Sequence, residues 1–407
     1  MKLVRLQTND ESEGCFMNQT RFIHTADWQL GKSFAGVEDP QKCALLQNER
    51  LAVIKRIAEQ AKEQRAEFVL VAGDLFDSPT AKNSTVAAAC SAIGNIGIPV
   101  FAIPGNHDHG GAGGLWEQEF FKREHASLAP NFHILLKPEP VELPNVVLFP
   151  CPLLRRHEAA DPTEWLRATQ DFDARFGDKP RIVLAHGSVQ NFCQVPDEEE
   201  ADRGTPNFIN LPRLPESDFD YVALGDWHGT KQVARKAWYA GTPELDRFVK
   251  GADHNPGNIL VVEAGRGQSP QVQCVRTGSI GWHELDCSFA DDTGIDRLKE
   301  LVDEKVGNRA NQDLLRLHLS GSLGIEASTR LEQMLDTWNA RLLRIKLDNQ
   351  TRIAPSPAEL DELTHRPGDP LVSRVAAELA TLAAGHDESA AVARIALREL
   401  HIACNAR

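Results

Sequence analysis

The feature of this sequence that most restricts its fold is a repeated unit, a short apolar run that ends in a residue able to bind a metal ion. The clearest example is residues 100–108, where an apolar run is followed by a Pro-Gly pair and then by Asn106, His107 and Asp108. Buried strands end in loops because their last polar groups must reach water or a ligand. The sequence therefore predicts five buried strands that carry ligand-type residues where they end. The other four apolar runs end at Asp27, at Asp74, at His186, and at Asp226 with His228.

Helical segments separate the first of these strands. Residues 44–64 place Leu46, Val53 and Ile57 on one helical face, and residues 82–96 are predicted to form a second helix. In a sandwich or an α/β fold, strands that leave one edge of a sheet bring their exits together. In either fold, we therefore expect the five strand ends to meet.

The pattern changes after residue 277. Residues 280–347 read as β-α-β-α-β, which describes a small two-layer α+β domain. Residues 350–370 hold four prolines and are predicted as a linker, and two helices follow near residues 371–384 and 389–404. The predicted organisation is a flexible N-terminal extension (1–16), a large domain (17–277), the small domain (278–350), and a linker with C-terminal helices (351–407).

Composition narrows the class of protein without naming a substrate. The chain of 407 residues is 42% hydrophobic, and its net charge of −14 argues against a broadly basic nucleic-acid surface. A phosphodiester substrate stays open, because an acidic site filled with divalent cations is locally positive. No apolar run approaches the roughly 20 residues of a membrane span, so no membrane partner is expected. The start lacks a signal-peptide core, and the eight cysteines form no CxxC pair, so we expect a cytoplasmic protein with reduced thiols.

The residues at the strand ends predict a specific chemistry. A lone strand-end aspartate is more often a turn cap than a ligand, but five such ends together are hard to explain as caps. Converging carboxylates, imidazoles and an amide suit two divalent cations, which do phosphoester chemistry. Asp74 is the natural bridging carboxylate. His107 is the candidate general acid, and Asp108 could orient its ring.

The motifs at these five strand ends resemble those of the calcineurin-like metallophosphoesterase superfamily, which implies an α/β fold, a metallophosphoesterase β-sandwich flanked by helices. Their flanks, among them residues 22–31, 219–225 and 239–248, are similar to the SbcD nuclease subunit and its DNA repair exonuclease relatives. The likeness covers residues 17–277, and the small domain resembles that group's capping domain more weakly. It implies a manganese-dependent DNA nuclease, exonuclease and endonuclease, with an SbcC-like SMC-type ATPase on the C-terminal helices and a homodimer as the common assembly in that group.

The resemblance also implies roles for single residues. Ligands of the first metal are matched by Asp27, Asp74 and His228. Ligands of the second metal are matched by Asp74, Asn106, His186 and Asp226. His107 matches the catalytic histidine.

Two positions depart from the family pattern. Gln29 stands where the family has the histidine of Asp-x-His, and Asp226 stands where it has the first histidine of His-x-His. If both bind, the site is richer in oxygen and favours Mn²⁺ or Mg²⁺ over Zn²⁺. The alternative is a weakened first metal site with low activity.

Three residues beside the predicted ligands are candidates for substrate contact. Trp28 and Trp227 could stack on a base or a sugar, or could wall the pocket, and His109 could reach substrate from the rim.

Two other functions stay open from the sequence alone. One is a phosphoesterase for a small substrate, and the other is a DNA-binding subunit that has lost turnover through Gln29 and Asp226.

Overall fold

The computed structural model describes residues 19–168, 171–189, 207–248, 254–354 and 356–405. The chain divides into two compact units: the first takes residues up to 35 and 44–279, and the second takes 36–43 and 280 onward. The predicted flexible extension, residues 1–16, lies outside the described residues. The two units are described separately below.

The first unit contains fourteen strands and five α-helices within its described residues. The strands are β1 (Gln19–Thr25), β2 (Phe68–Ala72), β3 (Val100–Ile103), β4 (Phe132–Ile134), β5 (Val141–Glu142), β6 (Val147–Cys151), β7 (Arg181–His186), β8 (Ser188–Val189), β9 (Phe208–Ile209), β10 (Tyr221–Gly225), β11 (Lys231–Ala234), β12 (Ala237–Tyr239), β13 (Asn258–Gly265) and β14 (Gln271–Arg276). The helices are α1 (Pro40–Glu63), α2 (Asn83–Gly94), α3 (Glu119–Leu128), α4 (Glu164–Ala168) and α5 (Phe172–Phe176). The two predicted helices correspond to α1 and α2, and the five predicted strands to β1, β2, β3, β7 and β10.

Twelve of these strands form two sheets of six. The first has the order β14-β13-β1-β2-β3-β4, and the second has the order β11-β12-β10-β7-β6-β5. Strands β1 to β4 are parallel, and so are β6, β7, β10 and β12. The carboxyl ends of β1, β2 and β3 therefore lie at one edge of the first sheet, and those of β7 and β10 lie at one edge of the second.

The two sheets pack face to face. Phe22, Leu70 and Phe101 from the first sheet share one buried cluster with Leu184 and Tyr221 from the second. On the outer face of the first sheet, apolar residues of α1 and α2 pack against β1, β2 and β3. On the outer face of the second sheet, α5 contributes its two phenylalanines to a third cluster. The predicted α/β sandwich flanked by helices is confirmed.

The second unit contains a small sheet and five helices within its described residues. Its elements are β15 (Gly281–Phe289), α6 (Gly294–Val306), β16 (Asp313–Leu323), α7 (Ile325–Arg341), β17 (Arg344–Asn349), β18 (Arg352–Ile353), α8 (Pro357–Thr364), α9 (Pro370–Ala383) and α10 (Glu388–Asn405). Strands β15, β16 and β17 are adjacent and parallel. The predicted order β-α-β-α-β is present, and α6 and α7 cover the sheet with residues such as Leu298 and Leu331.

The segment predicted as a linker is more ordered than expected. It contains β18 and α8, and two of its prolines begin helices instead of interrupting them. Pro357 and Pro370 each occupy the first turn of a helix, where a missing N–H costs nothing. Ser356 and Glu359 form a reciprocal capping box at the start of α8. Proline content alone therefore gave the wrong prediction for residues 357–364.

The helix pair α9 and α10 exposes apolar side chains. The pair packs through small residues such as Ala376 and Ala383, with Leu397 buried beside them. The other side carries an exposed group that we call the C-terminal apolar surface, formed by Leu371, Val375, Leu382, Val392 and Ile395. Among the described residues, no helix is long and apolar enough to cross a membrane.

Candidate metal centre

The ends of five strands meet where the two sheets adjoin. Hydrogen bonds join the sheets at this point. The ring of His186, at the end of β7, donates from Nδ1 to the carbonyl of Ala72 in β2 at 2.8 Å. The main-chain N–H of Asp226, after β10, donates to Oδ1 of Asp27, after β1, at 3.1 Å. The predicted convergence of strand ends is therefore present in the structure.

Five of the predicted ligands surround one another. Asp27, Asp74 and His186 each offer one ligand atom, and these atoms lie within 4.8 Å of one another. Nε2 of His186 lies 2.8 Å from Oδ1 of Asn106 and 3.5 Å from Oδ2 of Asp74. The same atom lies 3.9 Å from Oδ1 of Asp226. Three carboxylates, an amide oxygen and an imidazole nitrogen thus converge on one buried point.

The ring of His186 is held in the orientation that a metal ligand needs. Its Nδ1 proton is used by the Ala72 carbonyl, which leaves Nε2 facing the acidic cluster. Burial alone would lower the pKa of this histidine, but Asp74, Asp27 and Asp226 raise it to about 9. Because metal ligation needs the neutral ring, an ion entering the cluster must displace a proton here.

The carboxylate of Asp27 provides an independent sign that a cation belongs in the cluster. The residue is fully buried, and its Oδ2 has no hydrogen-bond partner among the described residues. Burial raises the pKa of Asp27 to about 8, although the neighbouring His186 opposes the shift. An unsatisfied buried carboxylate oxygen costs free energy that a divalent cation would recover. The donor set of oxygens and imidazole nitrogen therefore fits the divalent ion that the chemistry of the site calls for.

Asp74 lies at the centre of the cluster. Its Oδ1 accepts from the main-chain N–H of His107 at 2.9 Å, and its Oδ2 faces His186. Burial would raise the pKa of Asp74, but His186 and His107 outweigh it, so the net pKa is lowered. A carboxylate that faces both histidines suits the bridging position predicted for it.

The approach of the strands depends on glycine. A side chain at Gly225 would place its Cβ 1.9 Å from the carbonyl oxygen of Ala72, and one at Gly73 would meet the His186 ring at 2.2 Å. Four site residues adopt positive φ although they are not glycine, which is uncommon and costs free energy. They are Asp27, Gln29, Asp74 and Asp226, with φ between 42° and 104°.

The structure corrects the role predicted for Asp108. Its two carboxylate oxygens accept from the main-chain N–H groups of Gly105 and Phe76, at 2.8 and 3.0 Å, so it fixes the turn that carries His107. The ring of His107 instead donates from Nδ1 to the main-chain oxygen of Asp77 at 3.0 Å. Its Nε2 lies 4.0 Å from Oδ2 of Asp74. His107 is thus oriented toward the cluster, and the main chain of Asp77 orients it.

The remaining two predicted ligands form a separate arrangement. The side-chain amide of Gln29 lies 3.3 Å from Nε2 of His228, and Nδ1 of His228 lies 3.0 Å from Oδ2 of Asp246. Lys32 donates to Oε1 of Gln29 at 3.2 Å. Burial lowers the pKa of His228 to about 3, so its ring is neutral and can carry one proton. Arg247, with His228 and Lys32, holds the pKa of Asp246 well below its usual range against the effect of burial.

The predicted substrate contacts have different outcomes. Trp28 is fully buried and donates to Thr25 Oγ1 at 2.9 Å, which disfavours stacking on substrate, one of the two roles predicted for it. Asp27 and Gln29, on either side of it in sequence, lie in the site, whereas the Trp28 ring packs in the core. Trp227 is half-buried, with its ring centre 4.9 Å from that of His254. His109 is also half-buried. These two stay candidates for substrate contact.

Sequence reasoning missed the residue that shapes the first strand exit. Arg50 of α1 is buried and donates to the carbonyls of Asp27, Trp28, Gln29 and Glu244. These bonds hold the positive-φ segment after β1. The sequence does contain a sign of this role, because Arg50 lies on the apolar face of the helix between Leu46 and Val53. Lys32 lies one residue beyond the flank of residues 22–31, and Asp246 lies within residues 239–248 at a position to which the motifs assign no role.

The fold and the site together define the class of metal-binding phosphoesterases built on a two-sheet sandwich. The family model of the calcineurin-like phosphoesterases matches residues 20–230, which is more than half of the chain. The protein belongs to this family, as the sequence motifs indicated. Metal-dependent hydrolysis of phosphoesters is the activity that membership implies.

Two solved structures align with this chain at low similarity. The crystal structure of TT1561 of Thermus thermophilus aligns with a TM-score of 0.37 and 13% identity, covering 63% of this chain and 99% of that one. The crystal structure of a dimetal phosphatase from Danio rerio aligns with a TM-score of 0.34 and 13% identity, with the same two coverages. Likenesses this distant do not indicate a substrate.

Proposed function

We propose that this protein is a metal-dependent DNA nuclease that hydrolyses phosphodiester bonds at duplex ends. The observation that carries the hydrolytic part is the buried cluster of Asp27, Asp74 and His186 with the His107 ring beside it. The DNA substrate rests on the sequence motifs, which resemble those of SbcD-like exonucleases with some endonuclease activity. A role in double-strand break processing follows from the same resemblance.

The metal centre would be held by the residues already described. The second metal position would take its donors from Asp74, Asn106, His186 and Asp226. The first metal position, next to it, would take its donors from Asp27, Gln29 and His228. The preponderance of oxygen donors favours Mn²⁺, with Mg²⁺ as the alternative. Such a centre supplies charge stabilisation to the phosphoryl oxygens and activates water for attack.

His107 would act on the leaving group. Its Nδ1 proton is committed to the Asp77 carbonyl, so Nε2 is the atom that can carry a proton toward substrate. Oδ2 of Asp74 lies 4.0 Å from this atom, on the side of the metal cluster. The proposed step is donation of the Nε2 proton to the departing oxygen of the cleaved strand.

The second unit would supply partner contacts. We propose that β15 to β17 with α6 and α7 form a capping domain for DNA. The C-terminal apolar surface, in which Leu371 is 72% exposed and Val392 61% exposed, would dock on the coiled coil of an SbcC-like ATPase. A surface of this kind is typical of a protein interaction site. A homodimer and a cytoplasmic location complete the proposal.

The experiment that tests this function compares two substrates with Mn²⁺ present. One is an end-labelled DNA duplex, and the other is a small chromogenic phosphodiester. We expect shortening of the duplex, and loss of that activity in His107→Ala. Turnover of the small ester without any cleavage of the duplex would contradict the nuclease proposal and leave a small-substrate phosphoesterase.

The docking proposal has its own test. Leu371→Glu combined with Val392→Glu should abolish co-purification with the ATPase subunit while leaving cleavage of a small phosphodiester unchanged. As a matched control, Leu45→Glu changes another exposed leucine, in α1 of the first unit. If the doubly substituted protein still binds the ATPase, this surface is not the docking site.

A further inference from the structure

Four side chains next to the metal cluster form a closed circuit of polar contacts, which we call the Lys32 circuit. Nδ1 of His228 lies 3.0 Å from Asp246, and Nε2 of His228 lies 3.3 Å from the amide nitrogen of Gln29. Lys32 closes the circuit, since its Nζ lies 3.2 Å from Oε1 of Gln29 and 3.4 Å from Oδ2 of Asp246. All four residues are largely or fully buried.

The direction of each contact in the Lys32 circuit follows from chemistry. An ammonium group can only donate, so Gln29 must present its oxygen to Lys32 and its NH₂ group to His228. The carboxylate of Asp246 can only accept, so the ring proton of His228 sits on Nδ1. The lone pair of His228 Nε2 therefore accepts from Gln29. That lone pair is the one through which His228 could bind a metal ion.

The circuit also places positive charge at this position. The ammonium of Lys32 lies 4.0 Å from Asp77 as well, so three groups hold it near the site. Arg247 pairs with Asp246 at 3.1 Å on the other side.

We infer that the two metal positions are unequal, and that the Lys32 circuit makes the first position, at Gln29 and His228, bind an ion more weakly than the second, at Asp74 and His186. Entry of an ion at the first position requires the Gln29 amide to release His228 and the Lys32 ammonium to withdraw. Lys32 is thus a positioning residue that controls metal loading. The inference rests on the proposed metal centre and says nothing of which phosphoester is cleaved.

The test measures bound Mn²⁺ directly, without activity. Metal-free protein is titrated with Mn²⁺ by calorimetry, and the number of ions per chain is checked by mass spectrometry and by electron paramagnetic resonance. In the unaltered protein we expect one Mn²⁺ to bind tightly, at the second position, and another to bind at least about tenfold more weakly, at the first position. Lys32→Met should strengthen this weaker second binding event by about tenfold or more, because it removes a like charge and frees the Gln29 oxygen.

Two further variants make the result specific. Lys32→Arg keeps the charge and should keep the second event weak. Lys122→Met removes an exposed lysine paired with Glu119 in α3 and should leave both events unchanged. Circular dichroism checks that each variant is folded, and the unaltered protein alone already tests the inequality.

The outcomes separate this inference from the proposed function. Two equal binding events in the unaltered protein, or a second event that Lys32→Met does not strengthen, would overturn the inference and leave the metal centre standing. Failure of the unaltered protein to bind any Mn²⁺ would overturn both.

Discussion

The Nδ1 atom of His186 donates to the main-chain oxygen of Ala72 at 2.8 Å, which ties a ring carried by β7 to a strand of the opposite sheet. This bond fixes which nitrogen of the ring faces Asp74. It also requires the strands to come closer than side chains permit, since Gly225 sits against the same carbonyl oxygen. The orientation of the His186 ring in the metal cluster and the packing of the two sheets therefore depend on the same contact.

Gly225→Ala should destabilise the protein and weaken metal binding together. The new Cβ would lie 1.9 Å from the Ala72 oxygen, and backbone on both sides would have to move. We expect the free energy of unfolding to fall by about 2 kcal/mol or more in urea titrations. Gly368→Ala is the matched control, since no atom lies within 4 Å of its added Cβ. A Gly225→Ala protein as stable as the control would contradict this packing.

Arg50→Lys should be nearly as damaging as Arg50→Met, although it keeps the charge. The guanidinium donates from Nη2 to Asp27, from Nε to Trp28 and from Nη1 to Glu244, and an ammonium cannot cover that spread. We expect a loss of about 3 kcal/mol in unfolding free energy, measured in urea. Arg123→Lys, at a largely exposed arginine of α3, serves as the control. Full stability of Arg50→Lys would show that charge alone suffices.

The buried His24 makes stability depend on pH. Its ring contacts Tyr221 Oη at 3.0 Å and the Leu224 carbonyl at 3.2 Å, and burial lowers its pKa from 6.5 to about 3. Below pH 6.5 the unfolded chain takes up a proton that the folded protein refuses, so the stabilisation is complete above pH 6.5 and is lost as pH falls toward 3.

The measurement compares the unaltered protein with His24→Gln in urea titrations with a chelator present, at pH 7 and pH 5. Any stability advantage of histidine over glutamine should shrink by about 2 kcal/mol between these values. Other titrating groups are common to both proteins and cancel in the difference. A difference that does not change with pH would show that His24 titrates normally.

His107→Asn should slow hydrolysis without releasing metal. The substitution removes the proton donor and leaves Asp74, Asn106 and His186 in place. We expect the rate of duplex cleavage, in which the leaving group is a strongly basic alkoxide, to drop by about 10² to 10⁴, with unchanged Mn²⁺ content by mass spectrometry. The loss should be smaller for a substrate whose leaving group is a weak base, because such a group needs no proton. Equal losses for good and poor leaving groups would argue against general acid catalysis.

Much of the site could be predicted from sequence because its residues follow apolar strands directly. Asp27, Asp74, Asn106, His186 and Asp226 each stand at or just after a strand end, and parallel strands bring such ends to one edge. The pairing of two sheets face to face was predicted through the resemblance to the family, because the strand pattern alone left a sandwich and an α/β fold open. What the sequence could not show was how side chains turn at the exits, as Trp28 does into the core.

The contacts made across long separations were the least predictable. Asp108 lies beside His107 in sequence, yet its carboxylate reaches Phe76. The carbonyl that orients His107 comes from Asp77, which no local pattern marks. The helix α8, inside the segment predicted as a linker, was missed for a different reason. A proline is tolerated in the first turn of a helix but breaks the helix from its interior, and proline content alone does not distinguish the two positions.

The most direct test of the metal centre is Asp74→Asn, assayed with Mn²⁺ for both metal content and phosphodiester hydrolysis. Asp74 faces His186 at 3.5 Å and His107 at 4.0 Å, so an amide in its place removes the charge that both histidines and any cation share. We predict loss of the tightly bound Mn²⁺ and a fall in rate of at least about 10³. An Asp74→Asn protein that keeps its Mn²⁺ and hydrolyses phosphodiesters at the unaltered rate would contradict the account.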